Sequence, residues 1–267
     1  MEEPVLYEAD DEGIVLLTLN RPDVRNPISD PEMVDALCAA LARLESDATA
    51  RVGILTGAGK TFSSGGNIHQ MKPGGSLNTG SPVTTRLAYK HGIQRLPLAF
   101  AALEVPIIAA VNGPAIGAGC DLACMCDLRL ASETAKFAES FVKLGLIAGD
   151  GGSWLLPRVV GWSKAAEMAL TGDPIDAADA LSCGLVSKVV ADSELLDQAQ
   201  VLAGRIAANP THAVRMTKRL LWEGRRADLA TLLEMAAAMQ AAAHAMEDHQ
   251  EAIAAFLEKR TPSFSKP

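Results

Sequence analysis

The amino-acid sequence predicts an α/β fold that ends in an α-helical region. Short apolar runs alternate with helical segments through the first two-thirds of the chain. Two of those runs break directly into turns of small residues, Ser63-Ser-Gly-Gly-Asn67 and Asn112-Gly-Pro-Ala-Ile-Gly-Ala-Gly-Cys-Asp121. From residue 193 to 260 the pattern is helical almost throughout. The division is therefore placed after residue 192, with an α/β core over 1–192 and a helical region over 193–267.

Taken in order, Ile14-Val-Leu-Leu-Thr-Leu19 reads as a strand that stops at the Asn20-Arg-Pro22 turn. Asp30 stands as an N-cap with Pro31 at the first helical position, and the helix runs to about Glu45. A strand over 51–56 follows. The Gly-, Ser- and Pro-rich stretch 72–82 lacks periodicity and reads as a loop beside the site. A helix over 84–103 leads to a strand over 106–111, and 127–131 is a further short strand. The C-terminal helices break at Asn209-Pro210 and near Gly224. Alanines crowd residues 236–245, which suits close helix contact, either with another subunit or with the chain's own core.

Composition bounds the function. With 267 residues, 49% apolar and 21% charged, the chain can bury a sizeable core. A net charge of −8 argues against a nucleic-acid surface, though a few local cations would still hold a polyanionic small molecule. No apolar stretch approaches the ~18 residues of a membrane span. The acidic start Met1-Glu-Glu-Pro4 lacks the pattern of a signal peptide, and five cysteines are an odd number in a chain that needs no staples. A reduced, cytoplasmic setting is expected.

The chemistry is concentrated in the two breaks. A buried strand that opens into small residues and then a helix lets a ligand approach the backbone, at amides that the helix itself cannot use. Two such junctions together would make an oxyanion hole. Other motifs fall away on inspection. Gly57-Ala-Gly-Lys-Thr61 resembles the end of a phosphate-binding loop, but Ile54 stands where its first glycine belongs. Gly117-Ala-Gly119 does not continue to a dinucleotide fingerprint, whose third glycine would fall at Leu122. Cys120, Cys124 and Cys126 do not share one helical face and have no histidine beside them, so buried thiols, not a metal site, are expected. His69 reads as a solvated loop residue. Asp121 and Asp150 each sit at a helix start, where capping is the ordinary role of an aspartate.

At these residues the sequence resembles a family. Leu55-Thr-Gly-Ala-Gly-Lys-Thr-Phe-Ser-Ser-Gly-Gly-Asn-Ile68 and the 112–122 segment look like the two oxyanion-hole segments of the crotonase (enoyl-CoA hydratase/isomerase) superfamily. Leu19-Asn-Arg-Pro-Asp-Val-Arg-Asn26 resembles its first CoA-contacting loop, Leu170-Thr-Gly-Asp173 to Gly184-Leu-Val-Ser-Lys188 a later signature, and Ala255-Phe-Leu-Glu-Lys-Arg260 its C-terminal helix. The resemblance implies a spiral of ββα units whose C-terminal helices build trimers or dimers of trimers. It implies an acyl-CoA thioester substrate, with CoA part of that substrate and no separate cofactor. Carried over by position, the thioester oxygen is held by the N–H groups of Ser64 and Ala118, beside the open turn at Gly117. Losing one such donor costs ~3 kcal/mol of barrier. Arg25 is implied near the CoA phosphates, and the backbone of Gly65, Gly66, Asn67 and Ile68 around the adenine.

The chain departs from the family's usual hydratase, which uses two glutamates. Asp121 stands at the first position, its carboxylate set back by ~1.5 Å. Phe141 stands at the second and cannot move a proton. Phe141-Val-Lys-Leu-Gly-Leu146, an acid, then Gly151-Gly-Ser-Trp-Leu-Leu-Pro-Arg158 is similar to the phenylacetyl-CoA-pathway isomerases, whose acid is an aspartate over the substrate. Asp150 lies at that place or one residue beyond it. One carboxylate suffices to move a proton between two carbons, so Asp150 is expected as the acid/base, Asp121 as its assistant, and Phe141 and Trp154 as walls of the acyl pocket. Enoyl-CoA isomerisation or hydration is the leading expectation. Thioester hydrolysis, decarboxylation or C–C cleavage is an alternative, as is acyl-CoA binding without catalysis.

Overall fold

The computed structural model describes residues 3–75, 77–78 and 80–264. Its first strand, β1 (Val5–Ala9), pairs antiparallel with β2 (Ile14–Leu19) through a turn at Gly13, whose φ of 79° a side chain would resist. β1 is an element the alternation argument does not reach: it follows only from its register against β2. Helix α1 (Pro31–Ser46) begins with Pro31 at its first position, as expected. Asp30 does not cap it through its side chain. Its carboxylate instead accepts both contacts from the Asn67 amide, at 3.0 and 3.1 Å, and so ties the helix start to the first glycine break.

Strand β3 (Val52–Gly57) lies parallel to β2 and is buried along its length. Of the expected loop at 72–82, Ser76 and Thr79 lie outside the described residues. The single helix expected over 84–103 is two, α2 (Pro82–His91) and α3 (Arg95–Ala102). Gly92 ends the first with a non-helical backbone. Pro97 has no N–H to give and fits only the opening turn of the second. Then come β4 (Ile107–Val111), the two-residue β5 (Ala115–Ile116), α4 (Ala118–Met125), β6 (Leu128–Ser132), β7 (Lys136–Ala138), α5 (Gly152–Val160) and α6 (Trp162–Thr171). After them run β8 (Ile175–Asp176), α7 (Ala177–Ser182) and β9 (Lys188–Val190).

The strands form two sheets, one of six in the order β1-β2-β3-β4-β6-β9 and one of three in the order β5-β7-β8. From β4 on, a turn of chain adds one strand to the large sheet, one to the small sheet, and then a helix, as in β4-β5-α4 and β6-β7-α5. Because β2 to β9 run parallel in the large sheet, every crossover returns over its face and both faces are apolar.

One face packs on α1, α3, α4 and α5 around Leu17, Phe62, Phe100 and Phe137. The other is covered by α8 (Leu195–Ala207), whose Ala199 and Ala203 lie on Ile54, Ile108 and Leu130. Helix α8 therefore belongs to the core, and the change of character comes at Asn209-Pro210 rather than at 193. Helix α9 (Thr211–Glu223) is pinned back by Lys218, and α10 (Leu229–His244) and α11 (Glu247–Glu258) follow. No residue of α10 is buried, so its alanines do not fold onto the chain's own core. No helix among the described residues is long and apolar enough to cross a membrane.

Candidate active site

The two glycine breaks meet. Ser63 donates its amide to the Pro114 carbonyl and accepts from the Ile116 amide, at 3.1 and 3.0 Å, stitching one break to the other. A methyl group on Gly65 would lie 2.2 Å from the Ile116 oxygen and 3.0 Å from the Ala118 nitrogen, so only glycine admits this approach. The loop before it is held by Asn26, fully buried, whose side chain donates to the Ala58 and Thr61 carbonyls and accepts from the Arg21 amide. Arg25 and Asn26 both take a left-handed backbone, φ 63° and 52°, which is uncommon outside glycine. The Arg25 side chain is exposed.

This stitching changes which amides are free. The Ser64 N–H donates to the Arg25 carbonyl at 2.8 Å, so Ser64 is not an available donor, contrary to its expected place in the oxyanion hole. The Gly65 N–H goes to Ser63 Oγ and the Asn67 N–H to Ser29 Oγ. Between them the Gly66 N–H has no acceptor among the described residues. The Ala118 N–H, in the opening turn of α4, has none either. Gly117 precedes it with φ 54° and ψ −121°, which turns the chain into the helix. The Phe141 ring lies 3.6 Å from where a Gly117 side chain would begin, so Phe141 covers the turn at the helix start.

Behind this turn stand three acids. Asp121, Glu139 and Asp150 are at most 2% exposed. Asp121 comes from α4, Glu139 follows directly on β7, and Asp150 precedes α5. Neither aspartate caps its helix: the cap of α4 is Gly117 and that of α5 is Gly151, with φ 111°. Asp121 presses on α5 at a point where a methyl group on Gly152 would sit 2.2 Å from its Oδ1. Glu139 escapes sequence reasoning because nothing local marks it. Its signal is an acid placed directly after the buried Phe137-Ala138 pair, and only the small sheet carries that strand into the site.

With all three ionised, both oxygens of Asp121, both of Asp150 and one of Glu139 are buried without a donor. Such a cluster keeps protons. Burial, and then the charges of Asp150 and Glu139, drive the Asp121 carboxyl well above its usual range. Burial raises Glu139 to about 7. It raises Asp150 as well, while a hydrogen bond from Asp121 opposes the shift. A protonated Asp121 has a single O–H to give, and whichever neighbour accepts it, Glu139 or Asp150, is favoured in its ionised form.

Asp150 opens on a cavity of about 370 Å³ walled by Pro97, Leu98, Trp154, Leu155 and Trp222. Trp154 and Trp222 stack with ring centres 5.9 Å apart and planes at 12°, and Arg158 caps the stack at 4.1 Å. Trp154 and Asp150 therefore share a cavity, which Phe141 does not line. A second cavity, about 480 Å³, runs past Ile68, Met71, Leu77, Tyr89, Leu144 and Leu146. It adjoins Gly66, since a methyl group there would lie 2.3 Å from Met71 Cε. Tyr89 stands between the two, its ring 2.8 Å from a Gly149 side-chain position, and burial with the Asp150 charge raises its phenol. His69 is exposed on the loop, and no cluster of metal-ligating side chains occurs among the described residues.

Residues 9–267 match the model of the enoyl-CoA hydratase/isomerase family. The chain is 37% identical over 255 residues to a 1,2-epoxyphenylacetyl-CoA isomerase of Escherichia coli, covering 96% of each chain. It is 36% identical over 248 residues to a short-chain-enoyl-CoA hydratase of Clostridium acetobutylicum, covering 92% of each. Among solved structures, an enoyl-CoA hydratase of Mycobacterium smegmatis superposes with a TM-score of 0.91 at 35% identity, over 98% of this chain and 99% of that one. An enoyl-CoA hydratase of Bacillus anthracis gives 0.90 at 32%, over 99% and 100%.

Proposed function

The chain belongs to the enoyl-CoA hydratase/isomerase family, and from that premise we propose that it isomerises an enoyl-CoA ester with Asp150 as its single acid/base. It is an acyl-CoA enzyme with the crotonase fold. The observation that carries the finer reading is the placement of its acids. Asp150 lines the 370 Å³ apolar cavity, whereas Phe141 covers the turn and offers no proton-transfer group.

In this reading the Gly66 and Ala118 N–H groups bind the thioester oxygen, and Gly66 replaces Ser64 as the first donor. Asp150 takes a proton from the substrate carbon, the electron pair moves onto that oxygen as an enolate, and the same carboxyl returns a proton at a different carbon. Neutral Asp121 keeps Asp150 ionised and aimed. Arg25 and the Gly65 to Ile68 backbone serve the CoA moiety, which is part of the substrate; no separate cofactor takes part. The stacked tryptophans and Pro97 suit a bulky or planar acyl group in the 370 Å³ cavity. Five unpaired thiols support a cytoplasmic setting, and the bare apolar faces of α10 and α11 support a homotrimer or a dimer of trimers.

The test is a screen of acyl-CoA esters in deuterated water, read by mass spectrometry, with native protein and Asp150→Asn. Native protein is expected to shift a double bond and gain deuterium at the α carbon. Asp150→Asn is expected to bind the ester and lose turnover by about 100-fold or more. Full activity in Asp150→Asn sinks the assignment. A gain of water by the native product instead points to hydration.

A further inference from the structure

The proposed chemistry uses Asp150 and Asp121 but leaves Glu139 idle. Glu139 is 2% exposed, and its Oε1 has no donor. On one side it meets Asp121 and the Cys120 thiol. On the other it lines a third cavity, about 210 Å³, whose walls include Ser153, Pro157, Trp162 and Ala169. Trp162 and Ala169 are exposed, so this cavity reaches the surface at α6. Asp150 opens on the acyl cavity instead. Asp121 lines neither, and it is within hydrogen-bonding reach of both other acids. The three carboxyls therefore form a chain from one cavity to the other.

We infer that Glu139, Asp121 and Asp150 form a proton relay, through which the acyl cavity exchanges protons with water at the α6 surface. The inference rests on Asp150 being the acid/base. When the substrate fills the 370 Å³ cavity, the proton on Asp150 has no direct way to solvent. Through the relay, protonated Asp150 gives its proton to one oxygen of Asp121, Asp121 releases its own proton to the Glu139 carboxylate, and Glu139 passes it to water in the third cavity. Only O–H bonds form and break, and the same path run in reverse returns a proton of water to Asp150, which then delivers it to the enolate. The other titratable groups facing the chain are the Cys120 thiol, with Cys124 behind it on α4, and Tyr89 on α2. None of these is a cation, so nothing pins a charge at one station. Matched carboxyls side by side are suited to passing a proton in either direction. Glu139 is in these terms a positioning and relay residue that never touches substrate.

A merely structural Glu139 makes a different forecast, because a glutamine there would still hydrogen-bond Asp121 but could not accept a proton. Full-length protein saturated with butyryl-CoA, an ester with no double bond to move or hydrate, is mixed rapidly into deuterated water. The C=O stretch of its protonated buried carboxyls is followed by infrared as it shifts on deuteration. Native protein is expected to exchange with the ester bound. Glu139→Gln is expected to exchange roughly 100-fold more slowly. Ala169→Trp, which narrows the third cavity and leaves all three acids intact, is expected to slow it in the same sense. Exchange at the native rate in both variants overturns the relay. Slow exchange in Ala169→Trp alone also overturns it as a route through Glu139, and leaves only a water channel. The readout needs no turnover, so a failure here is distinct from an active Asp150→Asn, which would overturn the function and leave the exchange pattern standing.

Discussion

Gly152 and Asp121 define the site at the level of single residues. Without a side chain, Gly152 lets the Asp121 carboxyl press on the start of α5, and burial there raises that carboxyl well above its usual range. Glu139 makes the consequence measurable. Its carboxyl is raised from 4.5 to about 7 in the folded chain. Below pH 4.5 both folded and unfolded chains carry this proton. Between 4.5 and about 7 only the folded chain keeps it, so stability falls as pH rises through this window and levels off above it. Native protein is expected to lose about 3 kcal/mol between pH 4.5 and 8 relative to Glu139→Gln. Urea midpoints at the two pH values check this, and parallel pH dependence in both proteins refutes it. The sequence makes Asp121, Asp150 and Ala118 visible because each follows a glycine turn. Ser64 differs from its expected role for a physical reason: the freedom of its amide depends on a carbonyl 39 residues away, at Arg25, and no local pattern reports that.

Among elements, α9 decides how the acyl cavity is closed. Lys218 is 6% exposed, and its Nζ lies 2.7 Å from Asp127 Oδ2 and 2.8 Å from the Val105 carbonyl. One turn on, Trp222 donates to Asp127 Oδ1 at 3.2 Å and stacks on Trp154 of α5. The ion pair thus sets the tryptophan wall facing Asp150. Lys218→Met is expected to leave the half-buried Asp127 without its charge partner and to cost about 3 kcal/mol. Thermal unfolding reads the loss, and acyl-CoA binding weakens with it as Trp222 loosens. Adding Asp127→Asn to Lys218→Met should recover part of the stability, and no recovery would assign the loss to packing alone. The split of the expected 84–103 helix is a matter of the same scale. Gly92 and Pro97 mark the break in the sequence, but apolar periodicity runs through it, and only the turn of chain around Tyr89 and Gln94 separates α2 from α3. Gln94 then spans to the Gly149 carbonyl at 2.8 Å and fixes the loop that carries Asp150.

For the whole molecule, the question is what covers the last two helices. Phe256 and Leu257 are 80% and 74% exposed, and α10 buries nothing. An apolar surface of this kind on helices with few contacts to their own core calls for a partner. A second copy of the chain is the partner proposed. Phe256→Glu combined with Leu257→Lys is expected to shift the protein from an oligomer to a single chain by sedimentation, with the α/β core still folded. A native protein that sediments as one chain would overturn the trimer.

The sequence alone determined the α/β core, the positions of the two glycine breaks and the candidacy of Asp121 and Asp150. Strand periodicity and glycine turns are local, so they are written where they act. The tertiary structure decided which amides stay free, that Glu139 joins the two aspartates, that Trp154 lines the cavity at Asp150 and Phe141 does not, and that α8 belongs to the core. Those outcomes depend on contacts between segments far apart in the chain, where a hydrogen bond made or a carboxyl buried is set by the neighbour that packing supplies.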